Sequence, residues 1–286
     1  MGDFNVFHIM PWSGAYSIYF FLIGISAAMF FFSALSWYRP EFKEIRLASD
    51  NISFGLLAVS GILLIGDLTQ PFRFLNMMNP VYLNFSSPLA WGSLDLISFG
   101  VVSVAYFYSI HKSNSDEGMS RKLAVIGALL GLGLPIYTGF DLTVHQNRPV
   151  WNTPLMPVLF VALSFLSGAA LAAFIAKGEK LLAMLRTFML WSAGAVAAML
   201  ISLLGTTAYG GSGSELTFMF MTSGSLGAIF IGLGILLGTV VPIGVLLTNN
   251  GKQQGGMMLA GGLLLVGGLA LRYSILIGGQ IVQTYF

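Results

Sequence analysis

The segment YTGFDLTVHQNRPVWNTPLMP, residues 137–157, joins two apolar runs through a short polar hairpin. It carries Asp141, His145, Arg148 and Trp151 in quick succession. Charge this close to membrane-length segments is expensive and is retained mainly where it has a role. Within the hairpin, Asn147, Pro149, Asn152 and Pro154 read as turn formers. Thr153 is expected to be the N-cap of the next helix and Pro154 its first residue.

Outward from that hairpin the chain is apolar almost throughout. Charged residues make up 8% of it and hydrophobic ones 56%, with a mean hydropathy of +0.83. Soluble domains carry about 25% charged residues. A buried core does not absorb such an excess of apolar side chains, so the solvent is lipid and the chain reads as an all-α integral membrane protein. It has no cysteine, which removes disulfides, thiolate catalysis and Cys-ligated zinc or iron–sulfur clusters. A net charge of +2 gives no sign of nucleic-acid binding. The first apolar run is long and lacks a basic leader, so it is read as a span and not as a cleaved signal peptide.

Apolar runs of spanning length fall at residues 13–37, 52–68, 89–110, 123–142, 154–176, 187–209, 222–247 and 257–278. Eight spans are therefore predicted. Glycine pairs such as Gly127/Gly131 and Gly234/Gly238, and the doublets of the last span, read as helix contacts. Arg39, Lys43, Arg46, Lys112, Arg121, Lys122, Lys177, Lys180, Arg186 and Lys252 all fall in alternate loops. The positive-inside rule makes that side cytoplasmic, and an even number of spans puts both termini outside.

The remaining basic residues, Arg73, Arg148 and Arg272, fall towards the outer side. So do Asp67, Asp95, Asp141, His8 and His145. Ion pairs that merely let helix ends pack would scatter over both faces; this asymmetry points to a site. Asp67, Asp95, Asp141, Arg148 and Arg272 are expected to form a proton-accepting network. Span 2 ends GDLTQPFRF and span 4 ends GFDLTVHQNRPVW, a faint internal echo that brings Asp and Arg to one level.

Haem is disfavoured, because His8, His111 and His145 sit at span ends or in loops, not facing each other inside the bilayer. Hydrolytic and nucleotide-binding motifs are absent from the sequence. Phenols are the remaining chemistry. Tyr16 and Tyr19 share a helix face, and Tyr137 lies one turn before Asp141. A tyrosine hydroxyl beside an apolar slot hydrogen-bonds a quinone carbonyl while the lipid tail runs between helices. An interfacial aromatic belt accounts for Trp12, Tyr82, Trp91 and Trp151, and less well for the deeper Tyr137.

At GDLTQPFRF (66–74), YTG (137–139), NRPVWNTPLMPVLF (147–160) and LRYSILIGGQ (271–280), the chain resembles the NrfD/polysulfide reductase membrane-subunit family. The resemblance covers essentially the whole chain. It implies eight helices in two four-helix bundles, 1–150 with a quinone site and 151–286, in the bacterial cytoplasmic membrane with both termini periplasmic. It further implies a menaquinone or similar quinone as cofactor, with no haem or metal in this chain. An iron–sulfur subunit on the outer face, and a molybdopterin catalytic subunit beyond it, are the implied partners. Tyr137 matches the family's span-4 tyrosine and Asp67 the acid closing span 2. Tyr16 and Tyr19 replace the polar residues that relatives carry on span 1, and Thr69-Gln70 departs from the usual DLGRPxRF wording. The expected quinone-binding residues are thus Tyr16, Tyr19, Tyr137, Thr138 and Arg73. Asp67, Asp141 and His145 are expected to take protons, with Arg148 and Arg272 tuning the carboxylates. Two other readings compete: a proton or small-solute transporter, which predicts activity without partners, and a passive assembly anchor, which predicts tolerance to mutation at Asp67, Tyr137 and Arg148.

Overall fold

The computed structural model describes residues 12–66, 70–72, 76, 79, 81, 83–112 and 116–280. Asp67 and Arg73 lie outside the described residues, as do His8, Thr69 and Tyr82. Among the described residues the regular structure is all helical, and eight segments are long and apolar enough to cross a membrane.

Helix α1 (Gly14–Leu35) is the central rod. Ser13 starts it by accepting the Ala15 N–H at 3.2 Å. Phe20, Ile23, Met29, Phe30 and Phe32 on it are almost wholly buried. Around it pack α2 (Arg46–Gly66), α4 (Glu117–Thr143), α5 (Leu155–Ile175) and α10 (Gln254–Gly278). Helix α3 (Pro88–His111) lies along α4 and touches α2 only lightly. Helix α6 (Glu179–Tyr209) packs on α5. The span Gly224–Leu247 comprises α8 (Gly224–Gly227), a π-helical stretch (Ala228–Val240) and α9 (Val241–Leu247), and it packs on α10. There the expected glycine contact is real: a Cβ on Gly238 would sit 2.2 Å from the Gly267 Cα. Not every glycine of the last span serves this purpose, since Gly255 and Gly262 face open space.

The helices overrun the apolar stretches at the end that carries the basic loops. Helix α2 starts at Arg46, α4 at Glu117 and α6 at Glu179, each several residues before its apolar run. Capping explains two of these starts. Asp116 accepts the Gly118 N–H at 2.8 Å. Glu44, from the 3₁₀ helix Pro40–Ile45 before α2, accepts the Lys177 and Gly178 N–H groups at 3.0 and 2.9 Å, ahead of α6. A carboxylate there also suits the positive end of the helix dipole. An additional short helix, α7 (Ser212–Thr222), occupies the connection between the sixth and seventh apolar runs.

The buried face of α2 is unusual: its buried residues are Ser49, Asp50, Ser53 and Ser60. Leu47, Val59 and Ile62 of this helix are exposed, as suits a rod whose back is in lipid, while Ile52, Leu56, Leu57 and Leu64 are half-buried against the core.

At the opposite, hairpin end the structure corrects one expectation. Trp151 is not part of an interfacial belt but is 0% exposed. Its Nε1–H donates to the Ile275 carbonyl at 2.8 Å and its ring stacks on Trp12 at 5.3 Å. The hairpin folds back over the end of α10, and Arg148 holds it there by donating to the Gly279 carbonyl at 2.7 Å. Trp91, by contrast, is 60% exposed and fits the belt. The expected cap is displaced by one residue: α5 begins at Leu155, with Pro154 in the cap position. The Thr153 hydroxyl still accepts the Leu155 N–H, at 3.4 Å. Asn152 looks the other way and donates to the Thr143 carbonyl at the end of α4, at 2.7 Å.

Candidate functional site

Between the hairpin-end halves of α1, α2, α3 and α4 lies a cavity of about 280 Å³. Its walls are apolar: Phe20 from α1, Leu64 and Ile65 from α2, and Leu89, Leu96 and Ile97 from α3. Its polar groups are Tyr16 and Tyr19 from α1, Ser93 from α3, and Tyr137 and Asp141 from α4. Trp12 closes the hairpin end. Spacing accounts for the convergence, since positions three or four apart on a helix share a face. Tyr16/Tyr19 and Tyr137/Asp141 are two such pairs. Pro135 sits just before Tyr137 and supplies no N–H, so the ladder of α4 is interrupted beside the cavity.

Glycine sets the Tyr137 ring in place. A Cβ on Gly92 would lie 2.1 Å from Tyr137 Cε2, so α3 takes the ring flat against its backbone. The ring thereby divides the cavity from a second, more open groove of about 450 Å³, lined by Phe85, Trp91, Asp95, Gly133 and Phe140 among others. Asp95 belongs to that groove. Its Oδ2 is buried over Gly133 without a hydrogen-bond partner among the described residues.

The other expected residues are near but not in the cavity. Thr138 is buried and donates to the Pro135 carbonyl of its own helix at 3.0 Å. His145 follows the end of α4, packed edge-on against Trp12 and Trp151 at 5.4 and 5.3 Å. Arg148 lies over the Trp151 ring at 5.0 Å. Arg272 is fully buried, but not at the hairpin-end surface. A helical side chain leans towards the N-terminus of its helix, and this guanidinium reaches back to the Gly268 carbonyl at 3.2 Å and the Ser164 hydroxyl at 3.0 Å. It packs over Phe21 and Phe160, and Phe160 packs on Phe20 of the cavity wall. Among the described residues Arg148 donates to a carbonyl and Arg272 to a carbonyl and a serine; Asp67, another expected member of the network, lies outside them.

Electrostatics at the hairpin follow burial. Burial lowers the His145 imidazole below its ordinary value, and the charge of Arg148 acts in the same sense against the opposing hydrogen bond to the Leu142 carbonyl. Burial likewise lowers the Arg148 guanidinium. His145 Nδ1 lies 3.2 Å from the Leu142 carbonyl, which makes it the protonated nitrogen and leaves Nε2 as acceptor.

Residues 4–283 match the family model described as Polysulphide reductase, NrfD. The chain belongs to that family. Among NrfD-family relatives, a polysulfide reductase chain of Wolinella succinogenes is 27% identical over 98% of this chain and 97% of its own length. Protein NrfD of Escherichia coli is 26% identical over 60% of this chain and 62% of that protein. A tetrathionate reductase subunit of Salmonella typhimurium is 29% identical over 58% of this chain and 47% of that protein. Among the described residues no cluster of three or more His, Cys, Asp or Glu is placed to hold a metal. Sequence reasoning missed Gly92 and Asp50. The first matters only because a ring from another helix lands on it. Asp50 was detectable in the stripe Ser49, Asp50, Ser53, Ser60, which repeats at helical spacing.

Proposed function

We propose that this chain is the quinone-reactive membrane subunit of a multi-subunit reductase. The observation that carries the reading is the meeting of three phenols and one carboxyl in a single apolar cavity. At about 280 Å³ it sits at the small end of ligand pockets, roughly 300–1,000 Å³, which suits a ring system more than a prenyl tail. The light contact between α2 and α3 offers the tail a way out to lipid. The names of the relatives, parts of polysulfide and tetrathionate reductases, support placement in such a complex.

A menaquinol or similar quinol bound there supplies two electrons and two protons. The hydroxyls of Tyr16, Tyr19 and Tyr137 orient it by donating to or accepting from its ring oxygens. The carboxylate of Asp141 takes a proton, and Nε2 of neutral His145, one turn on, receives it towards the hairpin surface. Apolar walls keep bulk water from the ring. An iron–sulfur subunit docks on the hairpin face, which is periplasmic in this reading, and a molybdopterin catalytic subunit lies beyond it. All the cavity-lining residues fall within 1–150, the first of two four-helix bundles, and 151–286 forms the second. Asp67 and Arg73 remain candidates from the sequence, outside the described residues.

Binding of a fluorescent hydroxyquinoline-N-oxide quinol analogue to the complex in nanodiscs tests the site. The native cavity binds it saturably, and Leu96→Trp, which fills the cavity, abolishes binding. Unchanged binding in Leu96→Trp would place the ligand elsewhere. The proton route makes a second prediction. Turnover falls as pH drops through the His145 value, because the charged imidazole accepts nothing. That value is lowered, so the loss begins below the ordinary imidazole value of about 6.5. His145→Gln gives a slower rate without this acid limb; a retained limb would remove His145 from the route.

A further inference from the structure

The first three helices enclose a second polar cluster at the basic end, far from the quinone cavity. Two hydrogen bonds fix the register of α1 against α2: the Ser26 hydroxyl donates to the Ser53 carbonyl at 2.8 Å, and the Ser33 hydroxyl to the Arg46 carbonyl at 2.9 Å. Asp50 therefore stands level with Met29 and Phe30. On the third side, Ser33 meets the Tyr106 hydroxyl at 3.1 Å, and the Phe30 ring lies 5.0 Å from that of Tyr106. Ser103, one turn before Tyr106, reaches the same level. Asp50 is 1% exposed, Ser103 2% and Ser49 0%.

These three are left over at this level of the bundle. Asp50 Oδ2, Ser103 Oγ and Ser49 Oγ have no hydrogen-bond partner among the described residues. Ser60 and Ser164, by contrast, each donate to the carbonyl four residues earlier; Ser167 and Ser274, buried elsewhere, share the lack of a partner but have no carboxylate beside them at their level. The neighbouring polar groups are engaged with one another. Arg46, one turn from Asp50, gives its Nε–H to the Ser36 hydroxyl at 2.6 Å and lies over the Trp37 ring at 3.8 Å. Tyr106 is held by Ser33 and Trp37. A serine hydroxyl within reach of Asp50 Oδ2 would donate to it, so neither hydroxyl bonds it directly.

We propose that Asp50, Ser103 and Ser49 form a binding site for one sodium ion inside the first helical bundle. Carboxylate and hydroxyl oxygens are the ligands a hard cation takes. One carboxylate calls for one charge, and a buried carboxylate without a compensating cation is strongly disfavoured. A divalent ion would demand more acids, and no such cluster exists among the described residues. Phe99, packed edge-to-face on Phe30 at 5.3 Å, lies one turn from this level on the side of the quinone cavity. The two sites are accordingly separate, and the sodium site stands or falls independently of the quinone reading.

Thermal melting of the full chain in nanodiscs tests this, with sodium chloride titrated against choline chloride at constant ionic strength. A ligand that binds only the folded state stabilises it by RT ln(1 + [L]/Kd), so Tm rises with its concentration. The native protein gains a few degrees in sodium, and Asp50→Asn, nearly isosteric, melts identically in both salts. Ser103→Ala folds with its helix intact and raises about tenfold the sodium concentration that gives the same rise in Tm, as loss of one ligand to a charge implies. Leu96→Trp, which blocks the quinone cavity, leaves the sodium response unchanged. Equal melting of the native protein in sodium and choline, or a native-like sodium response in Asp50→Asn, would overturn the site and leave water as the bridge.

Discussion

Tyr137→Phe is expected to slow quinol-driven turnover of the assembled complex by about ten- to a hundredfold. Its effect on electron transfer from an artificial dye to the partner subunits should be small. The argument is local. The substitution removes one hydroxyl and nothing else, because the phenyl ring keeps its seat on Gly92, where α3 has no Cβ to obstruct it. What is lost is one donor in a cavity whose walls are mainly apolar, where a hydrogen bond is worth more than in water. Parallel losses in the quinol and dye assays would mean that the hydroxyl serves assembly and not substrate.

The second large effect concerns stability. Trp151→Ala is expected to destabilise the purified chain by about 3–5 kcal/mol, the range for truncating a buried aromatic. Trp151→Phe should cost about 1 kcal/mol, the worth of the bond to the Ile275 carbonyl. Thermal melts in one detergent would compare the three proteins. An interfacial tryptophan would tolerate both changes nearly equally, so the gap between them decides between the two placements. Function should suffer as well, since Trp151, Trp12 and His145 pack as one cluster above the cavity.

Much of this arrangement is legible before any coordinates. Apolar runs locate all eight spans, because lipid imposes both length and composition on a helix. Tyr16, Tyr19, Tyr137 and Asp141 could be paired from helical spacing alone. What escapes is whatever depends on how one element lies over another. Trp151 sits in a hairpin, where tryptophan is ordinarily interfacial, and nothing in the local sequence says that this hairpin folds back onto α10. Arg272 falls near a span end by count, yet its side chain leans a full turn deeper. Asp50 precedes its apolar run by two residues and so reads as part of a loop; the helix begins earlier, at Arg46. Thr138 shares a helix with Tyr137 and Asp141 but spends its hydroxyl on the Pro135 carbonyl and does not line the cavity.

The polar face of α2 bears on how the chain is made. A helix whose inward residues are Ser49, Asp50, Ser53 and Ser60 gains little by resting alone in acyl chains, where a lone carboxylate is penalised by about 2.5–3.5 kcal/mol on insertion scales. Its partners on α1 and α3 flank it in order of synthesis. The ribosome therefore delivers α1 first, holds α2 near it through the Ser26–Ser53 contact, and completes the shield when α3 emerges. Membrane insertion of this chain should proceed by a triplet of helices at its beginning, with the later spans following singly.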